Sequence, residues 1–124
     1  MSSILFKEEA FEIIGLCMEV HSHLGKGHNE IVYKDALQYE FFKNNIPFVR
    51  EQKFEIIYKD VILPHHYFAD FIVHDYIILE VKAIETLHKS HIKQTLNYLA
   101  ASRLNLGLLV NFGEDSLIHK RVIL

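Results

Sequence analysis

Three charged side chains sit inside two apolar stretches near the middle of the chain. Asp70 lies in Tyr67-Phe68-Ala69-Asp70-Phe71-Ile72-Val73, and Glu80 and Lys82 lie in Ile77-Ile78-Leu79-Glu80-Val81-Lys82. Both stretches are rich in β-branched and aromatic residues and read as strands. Side chains alternate along a strand, so Glu80 and Lys82 share one face, Val81 takes the other, and Asp70 sides with Phe68 and Ile72. A buried charge costs several kcal/mol unless it is paired or bound to a metal. Two carboxylates from neighbouring strands beside an ammonium therefore admit two accounts. One is a structural ion pair, Lys82 with Asp70 or Glu80. The other is a functional site that holds a cation. On these residues alone the two weigh about equally.

The loop between the strands bears on the choice. A two-residue turn at His74-Asp75 pairs Asp70 with Leu79 and sends the acids to opposite faces. A three-residue loop, His74 to Tyr76, pairs Asp70 with Glu80. The odd-numbered connection, or a bulge, is expected.

At 124 residues the chain is expected to form one domain over 1–124, large enough for a real core. Half of the residues are hydrophobic and 23% are charged, which is ordinary for a soluble globular protein. A net charge of −3 gives no basic footprint for nucleic acid. The single cysteine, Cys17, excludes an internal disulfide, fits a reducing compartment and reads as a core thiol. Lys7, Glu8, Glu9 and Glu12 interrupt any leader-like apolar run, and no stretch is long enough to span a membrane, so a cytoplasmic protein with no membrane partner is expected.

Around the two strands the hydrophobic pattern predicts the rest. Lys7 to Leu24 reads as a helix with Ile13, Cys17, Val20 and Leu24 on its stripe and Ala10, Phe11, Ile14 and Met18 widening it; Gly25 and Gly27 end it. A second helix is expected from about Asn29 to Lys43, with Glu30, Tyr33, Leu37 and Phe41 in line and His28 or Asn29 as its cap. Glu30 is then a first-turn carboxylate on the core-facing stripe, for which helix-dipole complementation is the simplest account. Gly27 allows a tight reversal into that helix. Phe48 to Tyr58 reads as a strand whose even positions form one alternating set. Lys59-Asp60 turns it into Val61-Ile62-Leu63, and Pro64-His65-His66 predicts a bulge or an edge. After Lys82 a helix is expected over roughly Ile84 to Ser102, with Leu87, His91, Gln94 and Tyr98 on one stripe. Asn105 to Asn111 then suits a buried strand, parallel to that of Glu80 through a right-handed crossover, and Leu117 to Leu124 a last strand. The fold class is α/β: a mixed sheet, antiparallel meander plus one parallel crossover strand, flanked by helices.

Asp70, then Glu80-Val81-Lys82, then a helix carrying Gln94 and Tyr98 resembles the PD-(D/E)XK nuclease superfamily, with a Gln-x-x-x-Tyr helix like that of its RecB-like and Cas4-like branch. Gly27-His28-Asn29-Glu30-Ile31-Val32-Tyr33, with Phe68-Ala69-Asp70, Leu79-Glu80-Val81-Lys82-Ala83 and Leu109-Val110-Asn111-Phe112-Gly113, is similar to the small bacterial GxxExxY proteins over the chain from about Val20 onward. The superfamily's proline before the first acid is replaced by Ala69. The resemblance implies a restriction-endonuclease-like α-β-β-β-α-β core and a metal-dependent nuclease acting on DNA or RNA. It implies Asp70, Glu80 and the Val81 carbonyl as ligands of Mg²⁺ or Mn²⁺, with Glu30 completing the acidic cluster directly or through water. It gives Lys82 the attacking water and the developing charge, Gln94 the orientation of water or substrate, and Tyr98, Tyr33 and Gly27 supporting places around the pocket; His91, on the Gln94-Tyr98 stripe, is expected to line the same pocket. Oxygen ligands of this kind suit such ions, and phosphodiester hydrolysis needs the charge neutralisation that they supply.

The nine histidines, among them His21, His23 and His28 and the pair His88 and His91, show no three- or four-ligand spacing of a zinc site. Two other functions stay open: a binding or assembly module on the same fold, favoured by the acidic balance, and hydrolysis of another phosphate ester. Exposed strand edges admit a homodimer.

Overall fold

The computed structural model describes residues 4–124. Three helices and five strands follow in the order α1 (Lys7–Leu24), α2 (Glu30–Lys43), β1 (Phe48–Tyr58), β2 (Val61–Val73), β3 (Ile77–Lys82), α3 (Lys89–Ser102), β4 (Leu106–Asn111) and β5 (Ile118–Ile123). The strands form one sheet in the order β1-β2-β3-β4-β5. Only the β3–β4 pair is parallel; the crossover through α3 makes it so, because a strand that returns over a helix must run in the same direction. The mixed sheet flanked by helices is the architecture expected from the sequence.

The sheet is covered on both faces. Ile13, Cys17, Val20, Tyr33, Leu37 and Phe41 of α1 and α2 pack on Phe71, Val73, Leu79, Val81, Leu108 and Val110. Tyr98 and Leu99 of α3 pack on Ala69, Ile72, Ile78 and Leu109 from the other side. Burial at both faces explains why β3 and β4 read as unbroken apolar runs. Phe11 and Met18, expected to widen the α1 stripe, are instead exposed. They border an apolar cleft of about 400 Å³ against Leu108 and Arg121, because α1 overhangs the β4–β5 side of the sheet. Burial pushes the Cys17 thiol well above its ordinary range, as suits a core thiol.

Three other expectations are corrected in detail. Asn29 stands at the start of α2 but makes no side-chain capping bond, and neither does His28; the Gly25–His28 loop is held instead by Tyr33, whose hydroxyl donates to the Gly25 carbonyl at 2.6 Å and accepts the His28 N–H at 3.2 Å. α3 starts at Lys89, not near Ile84. The Asn111 side chain pins Ile84, its Oδ1 accepting the Ile84 N–H at 3.0 Å and its Nδ2 donating to the Ile84 carbonyl at 2.9 Å, so those groups are not free to begin a helix. The chain passes so close there that a Cβ on Gly113 would stand 2.1 Å from the Ile84 carbonyl oxygen. Finally, the even positions of β1 do not serve one face. Phe48 joins the core under α1 and α2, and Arg50 bonds Asp35 and Gln38 of α2, whereas Phe54 packs beneath α3. The change falls at Glu51, whose φ of 57° is left-handed. The expected irregularity at Pro64 is present, as a register shift between Glu55 and Ile57 opposite the span from Ile62 to His66.

Candidate functional site

The site begins where β2 and β3 part. Their ladder runs Val73↔Ile77, Ile72↔Ile78 and Phe71↔Leu79 and then stops. The three-residue connection His74 to Tyr76 sets this register; His74 and Asp75 take φ of 55° and 66° to close it. One step further, Asp70 faces Glu80. There the side chains replace the ladder: the Asp70 N–H donates to the Glu80 carboxylate at 2.8 Å, and the Val81 N–H donates to Asp70 Oδ2 at 2.8 Å. The acids thus satisfy backbone donors that the parting of the strands would otherwise orphan. On its far side β3 stays paired with β4 through Lys82↔Asn111, which anchors Glu80 and Lys82 on the rigid centre of the sheet.

Glu80 is 2% exposed. Burial, and then the Asp70 charge beside it, push its carboxyl up to about 9, against the opposing pull of the Asp70 N–H and of Lys82. Lys82 is half-buried and makes no ion pair among the described residues. The ion pair that does form was not anticipated: Lys34 of α2, not Lys82, donates to Asp70 Oδ1 at 3.0 Å and also to Glu51. Burial works against the charge on Lys34, but the bonds to Glu51 and Asp70 outweigh it and hold its pKa above the ordinary value. Glu51 stands across the β1–β2 ladder from Asp70, between Arg50↔Phe71 and Gln52↔Ala69. Sequence reasoning missed Lys34 and Glu51. The available signals were the four-residue spacing from Glu30 to Lys34 on one helix and the ladder that brings Glu51 to Asp70.

The remaining candidates fall at graded distances from this splay. Glu30, half-buried in the first turn of α2, is raised above the ordinary carboxylate value by burial, while Lys82 pulls it down and Asp70 pushes it up, so it shares their field. Among the described residues no three of the His, Cys, Asp and Glu side chains converge as a metal-holding group; Asp70 and Glu80 meet as a pair, and Glu30 stands apart. Tyr98 of α3 borders the two acids; burial and their charges push its hydroxyl up to about 12, so it stays protonated. Gln94, one turn earlier, is half-buried and has no side-chain hydrogen bond among the described residues. His91 turns its Nδ1 to the His88 N–H at 3.0 Å, closing the N-terminus of α3. Burial and Lys82 lower its pKa, and with His88, Ile84 and Glu85 it lines a shallow cleft of about 470 Å³. Tyr33 is fully buried, stacked on Phe112 with ring centroids 4.5 Å apart, and acts on the site through the loop it latches. Gly27 in that loop has φ 109°, a conformation open chiefly to glycine.

The donor chemistry suits a hard divalent cation: two carboxylates and the Val81 carbonyl could offer it oxygen atoms, and Asp70 already attracts a cationic group, the Lys34 ammonium. With only two side-chain ligands paired, such an ion would be completed by water or by a substrate oxygen.

Comparison with known proteins bears on the fold and the family. No curated protein matches the chain. Among solved structures it superposes on the crystal structure of SSO0001 with a TM-score of 0.62 and 19% identity, covering 95% of this chain and 59% of that one. It therefore spans little more than half of that protein's length. It also superposes on the alkaline exonuclease LHK-Exo from Laribacter hongkongensis with a TM-score of 0.54 and 10% identity, covering 99% of this chain and 72% of that one. At these identities the likeness is one of fold. A sequence profile of the PD-(D/E)XK nuclease superfamily matches residues 7–122, which takes in β1 to β4, nearly all of β5 and both acids of the splay, and the chain belongs to that superfamily.

Proposed function

We propose that the chain is a metal-dependent nuclease of the GxxExxY type, hydrolysing phosphodiester bonds of DNA or RNA with Mg²⁺ or Mn²⁺. The observation that carries the reading is the pairing of Asp70 with a nearly inaccessible Glu80 at the parting of β2 and β3, beside Lys82, which makes no ion pair among the described residues. A carboxyl pushed up to about 9 inside a protein is poorly placed as an isolated charge; a divalent ion would stabilise its ionised form. The ion, when bound, supplies charge neutralisation and a lowered pKa for water. Asp70, Glu80 and the Val81 carbonyl would hold it, with Glu30 completing the acidic cluster directly or through water. Lys82 positions the attacking water and meets the negative charge that grows on the phosphate. Gln94 orients water or substrate from α3. Tyr98, whose hydroxyl burial and the two acids keep protonated, would donate a hydrogen bond into the same space. The alkaline exonuclease among the structural neighbours accords with this chemistry.

A second reading, a binding or assembly module on the nuclease fold, draws support from the net charge of −3 and from the lack, among the described residues, of three converging ligands. Cleavage of single- and double-stranded substrates with Mg²⁺ or Mn²⁺ separates the two. The nuclease reading expects activity that disappears in Glu80→Ala and Lys82→Ala. Equal activity in the wild type and both variants would point to a contaminant, and no activity with any substrate would favour the module.

A further inference from the structure

Lys34 is the one buried lysine at the site, its side chain 10% exposed, and both of its partners are acids. They are not equivalent. Asp70 is 14% exposed at the side chain and is a proposed metal ligand; Glu51 is 48% exposed and lies at the solvent side of the same ladder. Each oxygen of Asp70 is already in use, Oδ2 by the Val81 N–H and Oδ1 by Lys34. The backbone donor belongs to the sheet and cannot leave. The ammonium rides on a flexible four-carbon stem and can.

A divalent ion and an ammonium on one carboxylate oxygen repel each other, so an ion that takes Asp70 Oδ1 must move Lys34 away. A buried ammonium left alone would be costly. Glu51 removes that cost, because it keeps a charged partner on Lys34 at the exposed edge. The left-handed backbone of Glu51, rare outside glycine, sits where the ladder brings this residue to Asp70. We infer that Lys34 is a resident competitor of the metal: it holds Asp70 Oδ1 when no ion is bound, and Glu51 is the residue that receives it when an ion binds. This inference rests on the metal-dependent reading above. Lys34 is a positioning residue here, since it acts through Asp70.

The two partners predict opposite signs. Replacing the competitor, Lys34→Met, tightens metal binding; removing its alternative partner, Glu51→Gln, leaves the ammonium on Asp70 and weakens it. Mn²⁺ alone, titrated calorimetrically into the intact chain at fixed pH and ionic strength, reads both. We expect about tenfold tighter binding in Lys34→Met and a several-fold loss in Glu51→Gln, the size usual for two coupled ligands. In the double variant Glu51→Gln adds no loss, because Glu51 acts through Lys34. Lys34→Gln gives the same direction should Lys34→Met not fold. Unchanged or weaker Mn²⁺ binding in the folded Lys34 variants overturns the inference. So does a Glu51→Gln loss of equal size with and without Lys34, which would mark a simple field effect. Mn²⁺ binding that is absent from the folded wild type, or that survives Asp70→Asn, instead overturns the metal reading on which the inference rests.

Discussion

The Glu80 carboxylate accepts the backbone N–H of Asp70 at 2.8 Å, where a strand carbonyl would ordinarily stand. The two acids are therefore part of the sheet's own hydrogen bonding as well as candidates for chemistry. Substitutions that keep the acceptor and remove the charge are the informative ones.

Glu80→Gln retains an acceptor for the Asp70 N–H and so should fold. Cleavage in the presence of Mg²⁺ is expected to fall at least about a hundredfold, and Lys82→Met to lose a similar factor, the range typical of a group that handles a proton or a charge in the transition state. Initial rates alongside circular dichroism check both; full activity in folded Glu80→Gln would sink the assignment.

Glu80 also gives a pH dependence to the metal-free protein. Its folded-state pKa, about 9, lies above the ordinary 4.5. The folded state therefore keeps the proton longer than the unfolded state does. The stabilisation is complete below about pH 4.5 and is lost as pH rises through about 9. Urea midpoints of the metal-free chain should fall between those limits, and Glu80→Gln should flatten the fall. A wild-type profile as flat as the variant's would contradict the burial argument.

Tyr33→Phe deletes only the hydroxyl that joins the Gly25 carbonyl and the His28 N–H. The ring keeps its stack on Phe112. A loss of about 1 kcal/mol is expected, together with faster amide hydrogen exchange in the Gly25–Asn29 loop that presents Glu30. Unchanged exchange there would show that the latch does not hold the loop.

Asn111→Ala leaves the Ile84 N–H and carbonyl and the Gly113 N–H without their side-chain partner. Asn111 is fully buried, so the cost should be about 3 kcal/mol. Gly113→Ala should be at least as damaging, because its Cβ would overlap the Ile84 backbone. Denaturant melts of the two variants test the claim that this knot, and not helix propensity, fixes where α3 begins.

The sequence alone determined the order of the elements, the mixed sheet, and the register that sets Asp70 opposite Glu80. Each follows from a local periodicity or a loop length: the 3.6-residue stripe Ile13-Cys17-Val20, the apolar runs of β3 and β4, the three residues His74 to Tyr76. Such signals are carried by neighbours along the chain, so they can be read without the fold. Only the tertiary structure decided that Lys34, rather than Lys82, is the cation on Asp70, that Glu51 shares it, that Phe11 and Met18 face outward, and that Asn111 delays α3 to Lys89. Those outcomes depend on contacts between distant segments, in which the solvation and pairing of each charge are set by whichever backbone happens to pack beside it, and no pattern within a single helix or strand encodes that neighbour.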